Sequence, residues 1–217
     1  MALLPSFIAF TGVDDPQLLS AMQALSARYP IEWGILVDDA QADKRLFPDA
    51  TERDALLSAT GLRWAAHVCG EQARLIANDP DKATVDVTRF QRVQVNHSFS
   101  GSSAAQIECT VRFGRKHGVR TMLQGSSDFP ADARLDWLFD TSFGTGVAAA
   151  RWPALPANGP FCGYSGGIKP DTAGAVVAAI GASIDTGQYW IDMESGVRTD
   201  DRFDLAKCEA VCRAVYG

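Results

Sequence analysis

The chain has 217 residues, of which 47% are hydrophobic, 21% charged and 9% aromatic, enough for one substantial core and unlike disordered, collagen-like or disulfide-scaffold chains. Lys and Arg number 20 against 26 Asp and Glu, leaving a net charge of -6 and a pI near 5.0 without the basic footprint that a phosphate backbone requires, so nucleic acid is not an expected partner. The amino terminus lacks a basic leader and its apolar run is broken by Pro5, so it reads as a strand, and no other apolar stretch approaches the ~18 residues of a membrane span. A soluble cytoplasmic protein is expected, a monomer or homodimer with no membrane partner. Cys69, Cys109, Cys162, Cys208 and Cys212 are odd in number and point to reduced thiols; no CxxC or HxxxH accompanies Cys208 and Cys212, and no metal site is expected.

Short apolar runs begin near Phe7, Glu32, Leu62, Gln91, Arg120, Leu135, Phe161 and Tyr189, about 25 to 30 residues apart except for one gap of about 15. That is the length of a strand plus a crossover helix, and most runs lead into a polar turn and a helical pattern. Asp15 before Pro16 predicts an N-cap, with Leu18, Leu19, Met22 and Leu25 as the apolar face that follows. Thr51 with Asp54 resembles a capping box, and Ser103 precedes a helix over Ala104 to His117 that Gly118 ends. Asp171 and Thr172 open an Ala-rich helix to Ala182, and Asp204 opens the last, whose Leu205, Cys208, Cys212 and Val215 share a face. Alternating strands and helices predict an α/β protein, a (β/α)8 TIM barrel forming a single domain over residues 1–217. A doubly wound sheet would carry GxGxxG or GxxxxGK[ST] after its first strand, and neither is there.

In such a barrel the chemistry stands where each strand ends. The ends read Thr11-Gly12, Asp38, His67 to Cys69, Asn96-His97, Gln124, Asp140, Ser165 to Gly167 and Asp192 to Gly196. For His67, Ser98 and Gln124 the ordinary polarity of a strand exit is explanation enough. Asp140 and Asp192 instead interrupt apolar strands, where an ionised carboxylate is costly without a partner, so each needs a buried ion pair or a function. Neighbouring carboxylates with restricted solvation have their proton affinities pushed apart, as an acid and base require. Ser165-Gly166-Gly167 and Ser195-Gly196 offer backbone N–H groups to an anion, which predicts a phosphate site; Glu194 beside them would repel it unless paired, with Arg198 the candidate.

Gly163-Tyr164-Ser165-Gly166-Gly167-Ile168-Lys169-Pro170-Asp171, followed about twenty residues later by Ile191-Asp192-Met193-Glu194-Ser195-Gly196-Val197, resembles the carboxyl-terminal signature of phosphoribosylanthranilate isomerase, an enzyme of tryptophan biosynthesis. Leu138-Phe139-Asp140-Thr141 with Gly144-Thr145-Gly146 and Trp152 is similar to that family's sixth strand and following loop. Val93-Gln94-Val95, Arg45 and Thr11-Gly12-Val13 are similar to its fourth strand, loop-two arginine and first strand. The resemblance implies an Amadori rearrangement of a phosphorylated aminoaldose to an aminoketose, with no cofactor. Asp140 would be the general acid that opens the furanose ring, and Asp192 would hold sugar hydroxyls. Gly166, Gly167, Ser195 and Gly196 would cradle phosphate, Asn96 would line the substrate pocket, and Arg45 would engage the anionic aromatic part of the substrate.

Three positions depart from that pattern. Thr11 stands where the family has its cysteine base, Asn96 where it has a histidine, and Glu194 where it has a serine. A hydroxyl does not replace a thiolate, and losing a positioned base costs about 10² to 10⁴ in rate. Asp14, Asp38 and Cys69 are the nearby replacement bases, and Thr11→Cys, its thiol activated by Arg45, is expected to gain activity. Two readings follow: an isomerase of this type with an altered substrate, or a catalytically decayed barrel that binds a phosphorylated small molecule as a binding or regulatory protein.

Overall fold

A computed structural model describes residues 3–98, 101–142, 146–184 and 186–217. Its eight longest strands are β1 (Phe7–Thr11), β2 (Ile31–Val37), β3 (Trp64–Val68), β4 (Arg92–Val95), β5 (Arg120–Gly125), β6 (Asp136–Phe139), β7 (Cys162–Tyr164) and β8 (Tyr189–Met193). They pair in parallel in chain order, and β8 returns to β1 with Ala9 opposite Asp192, closing the predicted barrel. The accessible surface of 9823 Å² matches the roughly 9,700 Å² expected for a folded chain of this mass.

The helices are α1 (Leu19–Ser26), α2 (Ala50–Leu57), α3 (Gly70–Asn78), α4 (Ala104–His117), α5 (Ala173–Ser183) and α6 (Leu205–Tyr216). Asp15 caps a 3-10 turn over Pro16–Leu18 rather than α1 itself. The box that opens α2 is Asp49 with Glu52, two residues before the predicted Thr51 and Asp54. Ser103 with Gln106 caps α4, Gly118 ends it at φ 63°, and Asp204 caps α6. The strict alternation fails on one side: among the described residues no helix stands between β5 and β6 or between β6 and β7. Irregular chain covers that wall with aromatic rings, Phe129 and Trp152 packing edge-on against Phe139 and Tyr164 at 5.2 to 6.4 Å. After β8 a short hairpin, β9 (Arg198–Thr199) with β10 (Arg202–Phe203), precedes α6.

Alternation along the strands separates two cores. Ile8, Phe10, Trp33, Ile35, Ile191 and Met193 face outward and join the helix residues in the larger one. Phe7, Ala9, Met122, Leu138 and Trp190, with Phe161, fill the barrel itself. Gly163 exists to admit Trp190, whose ring lies 2.1 Å from where a Cβ at that position would stand.

Below this plug is a charged floor. Arg92 donates to Glu32 at 2.8 and 3.0 Å and to Asp136 at 3.0 Å, with its guanidinium 4.1 Å from the Trp190 ring centroid. Arg63 and Arg120 complete it from the rim, at 2.8 Å from Glu32 and 2.7 Å from Asp136. No helix among the described residues is long and apolar enough to cross a membrane. All five cysteines are free, Cys208 and Cys212 are buried in the helix layer, and the described residues hold no His, Cys, Asp and Glu cluster suited to a metal.

Candidate active site

Above the apolar plug six inward-facing rows end in polar groups: Phe7 and Ala9 lead to Thr11, Ala65 to His67, Arg92 to Gln94, Met122 to Gln124, Leu138 to Asp140 and Trp190 to Asp192, while the β2 row ends in Leu36. These side chains line a cavity of about 400 Å³ at the carboxyl end of the barrel. Gly166, Gly167, Ser195 and Gly196 line it too, as do Asn96, Cys69, Ser142 and Glu194. Every residue that the resemblance placed in the site thus meets the others in one place, save Arg45; of the candidate replacement bases only Cys69 joins them. The Arg45 guanidinium lies 3.3 Å from Asp15 and 3.6 Å from Asp14, outside the cavity lining, because the loop after β2 folds toward the end of β1.

Thr11 is the centre of the site. Its hydroxyl donates to Asp192 Oδ1 at 2.8 Å and lies 3.2 Å from His67 Nε2. When Asp192 is ionised the hydroxyl proton is committed to it, and the oxygen can then only accept from the imidazole, which assigns the Nε2–H tautomer to His67. Gly34 on the intervening strand makes this possible: a Cβ there would stand 2.7 Å from Thr11 Oγ1 and 3.0 Å from His67 Nε2. Burial, the charges of Asp140 and Glu194 adding to it, pushes the Asp192 carboxyl up to about 7, against the Thr11 hydrogen bond and the charge of Arg92. Burial, helped by Arg92, holds the His67 imidazole down to about 3, so it is neutral.

Asp140 is held by Ser142, whose N–H and hydroxyl donate to Oδ1 at 2.8 and 2.9 Å. Gln94 donates to Asn96 Oδ1 at 2.7 Å and to Gln124 Oε1 at 3.3 Å, and Asn96 donates to Cys69 Sγ at 3.4 Å. Burial raises the Cys69 thiol to about 11, which disqualifies it as a neutral-pH base. Asp14 is bound by Arg198 at 2.6 Å, and Asp38 by Gln41 at 2.7 Å and the Ala40 N–H; neither lines the cavity. Arg198 hydrogen-bonds to Asp14 and donates to the Gly12 carbonyl at 2.8 Å, so it acts on Glu194 through its charge. Burial raises the Glu194 carboxyl, opposed by the charge of Arg198.

The two glycine loops touch the cavity, yet their glycines also have packing reasons. A Cβ at Gly167 would stand 2.6 Å from Ala148 Cα, and one at Gly196 would stand 2.1 Å from the Ile168 carbonyl oxygen. Gly146 lines the cavity, while Gly144 and Thr145 of the expected motif lie outside the described residues. Sequence reasoning set His67 and Gln124 aside as ordinary strand-exit polarity and gave Gln94 no role of its own. Their signal was register: each lies two residues along from an inward-facing neighbour.

No protein-family model matches the chain, and no curated protein sequence is significantly similar to it. Solved structures are. N-(5'-phosphoribosyl)anthranilate isomerase from Pyrococcus furiosus superposes with a TM-score of 0.59 at 12% identity, over 96% of this chain and 98% of that one. 3-Keto-L-gulonate-6-phosphate decarboxylase from Vibrio cholerae gives 0.51 at 10% identity, over 98% of each chain. The native KDPGal structure gives 0.52 at 12%, over 99% of this chain and 97% of that one. The likeness establishes the barrel. At these identities it reaches no further than the fold.

Proposed function

We propose that this barrel is an acid–base isomerase of small phosphorylated aminoaldose substrates, related in chemistry to the phosphoribosylanthranilate rearrangement. The observation that carries the reading is Asp192: a buried carboxyl raised to about 7, facing the same cavity as Asp140 and hydrogen-bonded at 2.8 Å to the residue standing where the resembled family has its base. The proton-abstracting role thereby moves from side chain 11 to the carboxylate that it touches. Asp140, two strands away just beyond β6, protonates the ring oxygen; ring opening gives an iminium whose adjacent carbon loses its proton to Asp192, and the resulting enamine tautomerises to the ketose. No external oxidant is needed, since one carbon is oxidised as its neighbour is reduced.

Support for the phosphate end comes from Gly166, Gly167, Ser195 and Gly196 on one wall; Glu194 on that wall weakens it. Glu194→Gln should therefore tighten inorganic phosphate binding by about tenfold in calorimetry at pH 8, the repulsion of one nearby charge being worth about 1.4 kcal/mol there. No binding to either protein at millimolar phosphate would remove the phosphate from the proposal.

Turnover of phosphoribosylanthranilate, followed by its fluorescence, tests the chemistry. Asp140→Asn and Asp192→Asn should each lower kcat by about 10² or more in folded protein. Wild-type kcat should rise with pH through about 7 as Asp192 ionises. Undiminished turnover in either folded variant would refute that residue's role.

A further inference from the structure

We propose that His67 is a positioning residue of this site: acting through Thr11, it fixes which oxygen of Asp192 remains to exchange a proton with a substrate. The catalytic consequence rests on the acid–base reading of Asp192; the donor chain does not. With Asp192 ionised, the Thr11 hydroxyl donates to Asp192 Oδ1 over 2.8 Å, which assigns the proton of the 3.2 Å contact to His67 Nε2, donating to Thr11 Oγ1. A hydroxyl has one proton to give, so occupying its lone pair with the imidazole N–H leaves that proton pointing at the carboxylate.

All three side chains are buried, at 2%, 3% and 7% exposure for Thr11, His67 and Asp192, so bulk water does not compete for these bonds. His67 reaches from β3 across β2 to β1 because Gly34 leaves the gap open. Without the imidazole, the Thr11 hydroxyl is free to turn and accept from a protonated Asp192, which favours the neutral acid. With it, Oδ1 is the accepting oxygen and Oδ2 is the basic one. The other charged groups acting on Asp192 are Asp140 just beyond β6, Glu194 beyond β8 and Arg92 on β4, and those acting on His67 include Arg92, while Cys69 contacts the His67 carbonyl. Substitution at His67 alters none of them.

The test is a 13C NMR titration of the Asp192 carboxyl in full-length, aspartate-labelled protein, with the signal assigned by its loss in Asp192→Asn. His67→Asn keeps a polar group but its amide is too short to reach Thr11; His67→Gln places an amide N–H near the Nε2 position. The Asn variant should raise the Asp192 midpoint by about one pH unit, a tenfold gain in proton affinity, and the Gln variant should leave it within about 0.3 unit of wild type. Thr11→Val should raise it alone, and His67→Asn should then add nothing. Equal shifts in the Asn and Gln variants, or a full Asn shift persisting in the Thr11→Val background, would overturn the proposal.

If His67→Asn does not fold, Thr11→Val decides: a midpoint unchanged from wild type overturns the donor chain. The acid limb of kcat should follow the NMR midpoint with KM unchanged within about twofold. Absence of all turnover on phosphoribosylanthranilate would count against the isomerase reading, whereas the titration judges His67 by itself.

Discussion

Position 11 shows how far one side chain depends on its neighbours. In isolation a threonine at a strand end is an inert hydroxyl. Here it orders a carboxylate, and the charge nearest to it is negative. A cysteine at this position would sit beside Asp192 without help from Arg45, which is engaged by Asp14 and Asp15. In Thr11→Cys the thiol should therefore stay protonated at pH 7, and turnover should not exceed that of wild type. Alkylation by iodoacetamide across pH 6 to 10 would check this, a rate that saturates below pH 8 being the contrary result.

The same residues set an opposed pH dependence of stability. His67 is held at about 3 against an ordinary 6.5, so between those values the unfolded chain binds a proton that the fold refuses, and stability falls as pH falls through that window. Asp192 is raised from 3.8 to about 7, so the fold binds the extra proton, and stability falls as pH rises from 4 to 7. Thermal melts should show His67→Gln losing less stability than wild type between pH 6 and 4. Asp192→Asn should gain relative to wild type between pH 5 and 8. Parallel melting curves for wild type and variant would contradict the assignment.

At the scale of elements, what a short segment encodes for itself was legible. Ser103 with Gln106, Gly118 and Asp204 act within a few residues of where they stand, and the helices begin and end there. Ser103→Ala should cost about 1 kcal/mol in urea denaturation. The missing helices had a signal as well. The gap of about 15 residues between the fifth and sixth runs is too short for a crossover helix, and Pro153, Pro156 and Pro160 punctuate the next connection. Gly163, by contrast, reads locally as a weak spot in a strand, and only Trp190 from β8 explains it. Gly163→Ala should lose about 3 kcal/mol, because the added methyl meets an indole locked in the barrel's interior; an unchanged urea midpoint would show that Trp190 can retreat.

Across the whole molecule the barrel is closed below by charge and open above. Arg92 is 3% exposed and serves two carboxylates from two other strands. Arg92→Met should lower stability by about 3 to 5 kcal/mol, since Glu32 and Asp136 would keep only Arg63 and Arg120, both reaching in from solvent. Converting Glu32, Arg92 and Asp136 together to Leu, Met and Leu should recover most of that loss, because burying well-packed apolar groups removes the desolvation cost. Guanidinium melts of the single and triple variants compare the two. A single variant as stable as wild type would mean the floor is held by packing alone.

By itself the sequence determined the eight barrel strands, the ends of α4, the starts of α5 and α6 and the polar residues at the strand exits, for a physical reason: each depends on periodicity and spacing within about thirty residues. It also placed Asp140 and Asp192 as carboxylates in need of an explanation, since a charge inside an apolar run is conspicuous in one dimension. Only the tertiary structure decided what those carboxylates meet. Thr11 and Asp192 are 181 residues apart along the chain and 2.8 Å apart in space, and His67 joins them across a strand whose glycine leaves room. Arg45 and Arg198, equally plausible as active-site cations on paper, were drawn to Asp14 and away from the cavity. Proton affinity and pairing depend on distance and dielectric between strands, and those are fixed only when the barrel closes.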